Sequence, residues 1–445
     1  MQIDRHRERR ARVLQSMADR GGGVAVHFTA PERLRNRDAE YPYRFDSSFW
    51  YLTGFAEPDS ALVLVAHGGQ RQAILFCRDK HEERELWDGF RYGPELAQAA
   101  FGVDAAHPIE RIDDVVPDLL ADSPALYYAL GANPALETRV QGWLQKVRAQ
   151  ARTGRRAPAT VHDLGAVVDE MRLVKDASEV ETMRRAARIS AAAHARAMQA
   201  CRVGMREFEI EAELLYEFRR QGAQSPAYPS IVAAGPNACV LHYPAGHAEV
   251  KDGDLVLIDA ACEVDGYAAD ITRTFPANGR FTAEQRAVYD VVLAAQQAAM
   301  GEARPGRDFN APHDAATRVL TQGLIDLGLL AGSLDGALES KAFRQFFMHR
   351  TGHWLGLDVH DVGDYREPAA AKEGEERPWR SLVPGMVTTV EPGLYIRPAP
   401  NVDERFHHIG IRIEDDVVIT ADGCDVLSAD APKSPADIEA LMKRS

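Results

Sequence analysis

Apolar residues fill 255–258 and recur across 267–276, with the dipeptide Asp265-Gly266 between the two runs. The pattern reads as two strands joined by a tight turn, since Asp-Gly accepts the positive φ that a two-residue hairpin needs. Two carboxylates, Asp259 and Asp270, interrupt this apolar text. A buried carboxylate is costly unless a cation, an arginine or a proton accompanies it. Either acid alone reads as a strand-end residue or as half of a salt bridge, for instance with Arg273. Two of them across one hairpin point towards a metal.

Periodicity elsewhere divides the chain. The opening segment predicts an amphipathic helix with Val13, Leu14 and Met17 inward. From about 22 to 150, strands at 23–28, 61–66 and 72–76 and a helix at 136–148 predict a self-contained α/β unit. Its aromatic passage, 41–55, reads as the edge of a core. Residues 149–160 are small, basic and turn-forming and read as the connection between domains, with Arg152, Arg155 and Arg156 in solvent. The expected division is an N-terminal α/β domain over 1–158, a linking region 159–175 and a C-terminal domain over 176–445.

That second domain carries an internal echo. A capping box at 178–181 opens a helix to about Cys201, and a second helix spans about 207–221. About a hundred residues later a capping box at 282–285 opens a helix to about Ala303, followed by one at about 312–327. Strand-rich text follows each pair, ending in strand-like passages at 353–359, 386–396 and 409–419 with polar loops at 364–380 and 397–408. The fold class expected is therefore α/β (α+β), with two α-α-β halves about a pseudo-two-fold axis and a site at their junction. A capped surface helix at 434–442 closes the chain.

Composition narrows the function. The chain of 445 residues is too long for one ordinary core. Its 52 Lys+Arg against 66 Asp+Glu give a net charge of −14, which argues against a nucleic-acid or anionic-membrane partner. Five scattered cysteines without a Cys-x-x-Cys pair suit a reduced compartment and exclude a thiolate zinc module. No apolar run has the length of a membrane helix or a signal peptide, so a cytoplasmic location is expected.

Each of the last three strand-like passages holds one polar residue that fits a core poorly: His353, Glu391 and Glu414. Taken singly, His353 reads equally well as a core histidine, Glu391 as a turn acid before Pro392-Gly393, and Glu414 as part of a solvated run paired to Arg412. Together with Asp259 and Asp270 they form four carboxylates and one imidazole, for which one common cause is simpler than five accidents. Two divalent cations neutralise four carboxylates, where one would leave about −2. Oxygen-rich ligation with a single His favours Mn²⁺, Co²⁺ or Fe²⁺ over a structural zinc. Such a pair of metals can hold a bridging water and deliver it as hydroxide to a carbonyl, so the reaction class implied is metal-assisted hydrolysis. His349 and His353 lack the His-Glu-x-x-His base and are not read as a helical zinc site. His242 and His360 are candidates for polarising the carbonyl, with structural roles as the alternative.

In the order Asp259, Asp270, His353, Glu391, Glu414, these residues resemble the metal-dependent peptidases of the pita-bread fold (family M24), which include methionine aminopeptidase, prolidase and aminopeptidase P. The strings at 252–260, 266–276, 353–363, 389–396 and 410–416 are similar to the aminopeptidase P branch. So are Glu-Tyr-Pro-Tyr-Arg at 40–44 and Phe-Trp-Tyr-Leu-Thr-Gly-Phe at 49–55 in the first domain. The resemblance implies Asp259 as terminal ligand of one metal, Asp270 and Glu414 as bridges, and His353 and Glu391 as ligands of the other. It also implies proton transfer by Glu391, carbonyl contact and intermediate stabilisation by His242 and His360, and supporting or substrate-side places for His349, Tyr395 and Arg412.

The reaction implied is release of the N-terminal residue from a peptide with proline in second position, usually with Mn²⁺, with Co²⁺ or Zn²⁺ as alternatives. A homodimer or homotetramer is implied too, with the first domain building the oligomer and closing the cleft, and Trp87 reaching a neighbouring subunit's site. Prolidase, which shares the five ligands and cuts only dipeptides, is the nearest alternative. A non-catalytic pita-bread binding protein normally lacks ligands, and all five are present here. Phosphotriester hydrolysis is a plausible side activity of such a centre. One departure stands out: Arg350 occupies the position after His349 where the motif has glycine, a change that would narrow the site or alter the peptide length it prefers.

Overall fold

The computed structural model describes residues 2–368 and 375–443, so part of the loop expected at 364–380 lies outside the described residues. The chain forms two compact units, 1–171 and 172–445.

In the first unit a six-stranded mixed sheet runs Ala105–Pro108, Gln72–Cys77, Ala61–Ala66, Gly23–Phe28, Ala125–Tyr127, Thr160–His162. The three central strands pair antiparallel and the outer strands join parallel. Val24, Val63 and Phe76 pack with Val116, Trp143 and Val147 from the helices Ile112–Leu120 and Pro134–Arg148. The N-terminal helix Gln2–Asp19 buries Val13, Leu14 and Met17, as its periodicity requires. Phe49, Tyr51 and Phe55 of the aromatic passage are likewise buried. The segment read as a linker is built in: Ala151–Thr153 is a 3₁₀ turn, and Thr160–His162 extends the sheet beside Ala125–Tyr127. Arg155 is not simply solvated, because it pairs with Asp118.

The second unit contains the two helix pairs. Ala177–Ala200 packs on Glu207–Arg220, and Ala283–Glu302 packs on Ala311–Asp326. The first pair begins two residues earlier than its expected cap. Asp176 accepts from the backbone of Glu179 while Glu179 accepts from the backbone of Asp176, so aspartate displaces Ser178 as the cap. The second box, Thr282 with Gln285, forms as expected.

Strands follow each pair. Leu255–Asp259 lies antiparallel between Ile231–Ala234 and Thr272–Pro276. Between its two arms the expected hairpin crosses into another sheet, where Cys262–Val264 and Tyr267–Ala268 pair around the turn at Asp265-Gly266. Both turn residues have positive φ, 48° and 77°. The second half supplies Val387–Val390 paired with Asp415–Ile419, and Gly393–Ile396 paired with Ile409–Arg412. The halves meet where Thr274 and Arg412 exchange hydrogen bonds and the Glu414 amide donates to the Thr272 carbonyl at 3.1 Å. No helix among the described residues is long and apolar enough to cross a membrane.

Candidate active site

Strand ends, rather than strand centres, bring the acids together. Asp259 is the last residue of Leu255–Asp259 and faces Thr272, the first residue of Thr272–Pro276, in the ladder. Asp270 lies two residues before that second strand. Glu391 follows Val387–Val390, and Pro392, which has no N–H to give a ladder, breaks the passage into two strands. Glu414 occupies the similar break between Ile409–Arg412 and Asp415–Ile419.

His353 departs from the expectation. Its segment is not a strand but a loop laid along Val387–Val390, joined by the bridge of Trp354 to Thr388. The His353 carbonyl accepts from the Thr389 amide at 3.0 Å, and the Glu391 amide donates to the Thr351 carbonyl at 2.8 Å. Gly352 permits this close approach, since a Cβ there would lie 2.2 Å from the Thr389 carbonyl oxygen. His349 and His353 therefore share no helix face.

Asp270, His353 and Glu414 each bring a donor atom within 4.8 Å of the others. Nε2 of His353 is 3.4 Å from Asp270 and 3.8 Å from Glu391. Asp259 is tied to the cluster through Tyr228, whose hydroxyl lies 2.7 Å from Asp259 and 2.5 Å from Asp270. The second ring nitrogen of His353, Nδ1, donates to the Trp354 carbonyl at 2.9 Å. In the neutral ring that bond leaves Nε2 as the nitrogen with a lone pair, free to face a cation. Thr272 donates to Glu414 at 2.6 Å, and the Arg412 guanidinium donates to Asp259 at 2.6 Å and to the Tyr395 hydroxyl at 2.9 Å. Arg412 thus makes its direct ion pair with Asp259 and acts on Glu414 only through its charge. The alternative partner considered for the hairpin acids, Arg273, instead pairs in full burial with Asp415.

So many buried acids resist ionisation. Burial, then the neighbouring carboxylates, raise Glu414 well above the usual glutamate range. Burial raises Asp270 too, against the pull of His353. Glu391 is pushed up to about 7, mainly by burial. Burial alone would lower His353, but the hydrogen bond and charge of Asp270 outweigh it and lift the imidazole to about 9. Carboxyl groups that hold protons and an imidazole held as a cation describe a cluster short of positive charge. The donor set, carboxylate oxygens with one imidazole and an ordered outer shell, fits divalent cations with oxygen preference.

Asp259, Asp270, His353, Glu391 and Glu414 all line a cleft of about 640 Å³. His242 and His360 line it, with the rings of His353 and His360 stacked at 3.9 Å between centroids. Burial, then the charge of His353, lower the pKa of His360. His349 donates from Nδ1 to the Arg350 carbonyl at 2.6 Å, so its Nε2 accepts from the Tyr395 hydroxyl at 2.9 Å. Burial lowers its pKa to about 4, keeping this relay from Arg412 through Tyr395 neutral at His349.

Several contributors had no visible signal in the sequence. Tyr228 sits in ordinary loop text, and Thr272 resembles any strand threonine. Asp416 belonged to a supposed solvated charge run, yet it is buried and accepts the Asp270 amide at 3.1 and 3.2 Å through its two oxygens.

Comparison with known proteins accords with this geometry. A model of metallopeptidase family M24 matches residues 181–421, and a model of the aminopeptidase P N-terminal domain matches residues 6–127. An Xaa-Pro aminopeptidase of Escherichia coli K12 is 46% identical over 95% of this chain and 94% of its own length. The structure of Pseudomonas aeruginosa aminopeptidase PepP matches with a TM-score of 0.95 at 49% identity, covering 99% of this chain and 98% of that one. Zinc-substituted E. coli aminopeptidase P in complex with product matches at 0.94 and 44%, covering 99% and 98%. With both of its units matched, the chain belongs to metallopeptidase family M24, as a two-domain hydrolase of the aminopeptidase P type with the pita-bread fold.

Proposed function

We propose that this chain releases the N-terminal residue from peptides with proline in second position, using divalent cations, Mn²⁺ by preference, held by Asp259, Asp270, His353, Glu391 and Glu414. The observation that carries the reading is that these five residues, from both halves of the second unit, line one cleft. Bound cations would neutralise the acids and activate a water for attack on the scissile carbonyl.

The chain's own groups supply the rest. His353, with Nδ1 tied to a carbonyl, presents Nε2 in one orientation. Arg412 and Tyr228 hold Asp259. Glu391, near neutrality by virtue of burial, suits a group that takes a proton from the attacking water and passes it to the departing proline nitrogen. His242 and His360 line the cleft where they can donate to the carbonyl oxygen as negative charge develops there. A proline amide has no N–H and a fixed φ, so recognition rests on the shape of the cleft and on orientation of the carbonyl.

Further parts of the proposal concern the whole protein. The first unit would build a homodimer or homotetramer and close the cleft, which the exposed Leu86, Trp87 and Phe90 support as an association patch. The five free cysteines suit a reducing, cytoplasmic setting. Metal analysis combined with turnover of an Xaa-Pro dipeptide and an Xaa-Pro-Xaa tripeptide tests the reading. Bound divalent metal and tripeptide cleavage are expected. Dipeptide-only activity would identify a prolidase, and inert, metal-free protein that Mn²⁺ cannot activate would identify a binding protein.

A further inference from the structure

Arg350, the residue that stands where the family motif has glycine, belongs to a second chemical feature of the cleft. Its guanidinium lies 4.6 Å from the centre of the Trp379 indole, and that of Arg366 lies 3.5 Å from the same ring. All three residues line the cavity that contains the five-residue cluster. Stacking on an indole holds a guanidinium flat while leaving its in-plane N–H groups directed outward. Arg350 gives one donor to the Asn310 side chain at 2.5 Å, which fixes its fork. Arg366 gives one to the Arg377 carbonyl at 2.8 Å and one to Glu376 at 3.2 Å. The Glu376 side chain is 88% exposed, so this carboxylate is a loosely held occupant that another could replace. Burial first, and then the charge of Arg366, lower the pKa of Arg350, while Asp314 opposes them.

The cleft is therefore lined both by the acids of the cluster and by two cations, Arg350 and Arg366. A short peptide likewise carries both charges, ammonium at one end and carboxylate at the other. Three peptide links separate Arg350 from His353, so their Cα atoms are at most about 11 Å apart. An extended peptide advances roughly 3.3–3.6 Å per residue, which puts a group two or three residues past the scissile bond within reach of the guanidinium.

We propose that Arg350 and Arg366, fixed on Trp379, form a carboxylate-binding subsite that selects peptides carrying an anionic group two or three residues beyond the scissile bond. The anion is either the C-terminal carboxylate of a short peptide or an acidic side chain of a longer one. This inference rests on the Xaa-Pro aminopeptidase reading and deepens it.

The experiment measures kcat/KM of the full-length, Mn²⁺-loaded protein on matched peptides. Ala-Pro-Ala-Ala with a free C-terminus is compared with its amide, and Ala-Pro-Ala-Glu amide with Ala-Pro-Ala-Gln amide. At least one pair should show a preference for the anionic member of about tenfold, as for a charge-assisted bidentate contact. The preference should appear mainly in KM and shrink with rising salt. The first pair reports a terminal carboxylate and the second a side chain. In R350Q and R366Q the ratio should fall towards one, and because it is a ratio, any loss common to both peptides cancels. Equal kcat/KM within both pairs for the unmodified protein would overturn the subsite while leaving the peptidase reading intact. Failure to cleave any of the four peptides would overturn both.

Discussion

Tyr228 brings its hydroxyl to 2.5 Å from Oδ1 of Asp270, while the same oxygen lies 2.7 Å from Oδ1 of Asp259. One phenolic proton can serve only one of two carboxylates. A cation between the acids removes the conflict, and so does a proton on Asp270, whose pKa burial already raises. Tyr228 thus couples the two acids of the interrupted hairpin. Tyr228→Phe is expected to weaken divalent binding by about 10–100-fold, the usual effect of losing an outer-shell partner. Calorimetric titration of metal-stripped protein with Mn²⁺ measures it, and an unaltered affinity would remove the hydroxyl from the account.

Asp270→Ala should abolish turnover, because it deletes the acid placed nearest both His353 and Tyr228 and leaves the cluster wrongly charged. Metal content should fall in parallel. Elemental analysis beside a peptidase assay checks both, and a variant that keeps full turnover contradicts the proposed centre.

His360→Ala should lower kcat by about 10²–10³ with a smaller change in KM, as for loss of a donor that acts on developing charge. Steady-state kinetics on a tripeptide decides the matter. A change confined to KM would reassign His360 to substrate binding.

In the metal-free protein Glu391 and His353 each contribute stability that is lost as pH rises, opposite in sign to the buried His6, His194, His313 and His349, whose pKa values burial lowers to about 4. Glu391 goes from 4.5 in its unperturbed state to about 7 when folded. Between those values the folded protein holds a proton on Glu391 that the unfolded chain has released, so the contribution of Glu391 to stability declines through that window. His353, raised from 6.5 to about 9, extends the decline towards pH 9 for the same reason. Melting temperatures of EDTA-treated protein from pH 5 to 9, compared with those of Glu391→Gln, isolate the first contribution. The stability of the unmodified protein relative to the variant should fall between about pH 5 and 7, and a constant difference across that range would exclude Glu391 as a source.

Much of this was legible in residue patterns, and the gaps have physical causes. The strands Gly23–Phe28 and Ala61–Ala66 and the box Thr282–Gln285 follow from period and cap chemistry, which are local. The capping error at Ser178 arose because Asp176 is an equally good cap two residues earlier. His353 was expected on a strand, but its loop depends on hydrogen bonds to Thr389 and on the space left by Gly352, both set by a distant segment. Taken singly, Glu414-Asp415-Asp416 reads as a solvated charge run, and only the grouping with Asp259, Asp270, His353 and Glu391 marks Glu414 as a ligand. Burial of all three depends on Thr272, Arg273 and the Asp270 amide, more than 140 residues away in sequence.

Arg273 offers a stability test apart from catalysis. Fully buried, it donates to Asp415 at 2.7 Å and to the Glu414 carbonyl at 2.6 Å. Removing one member of a buried ion pair costs about 3–5 kcal/mol, because the other charge is stranded. Lys433, 2.6 Å from Asp415, offsets part of that cost. Urea unfolding of Arg273→Leu should therefore give a loss of about 2–4 kcal/mol, and a loss below about 1 kcal/mol would place it in the range of an exposed surface pair.

On this proposal, acids and an imidazole from two halves of one domain share a pair of cations. Anomalous diffraction at the manganese edge, from crystals of the protein grown with Mn²⁺, addresses it directly. Two peaks about 3.5–4 Å apart, contacted by Asp259, Asp270, His353, Glu391 and Glu414, are predicted. Density without a metal peak among these five side chains would contradict it.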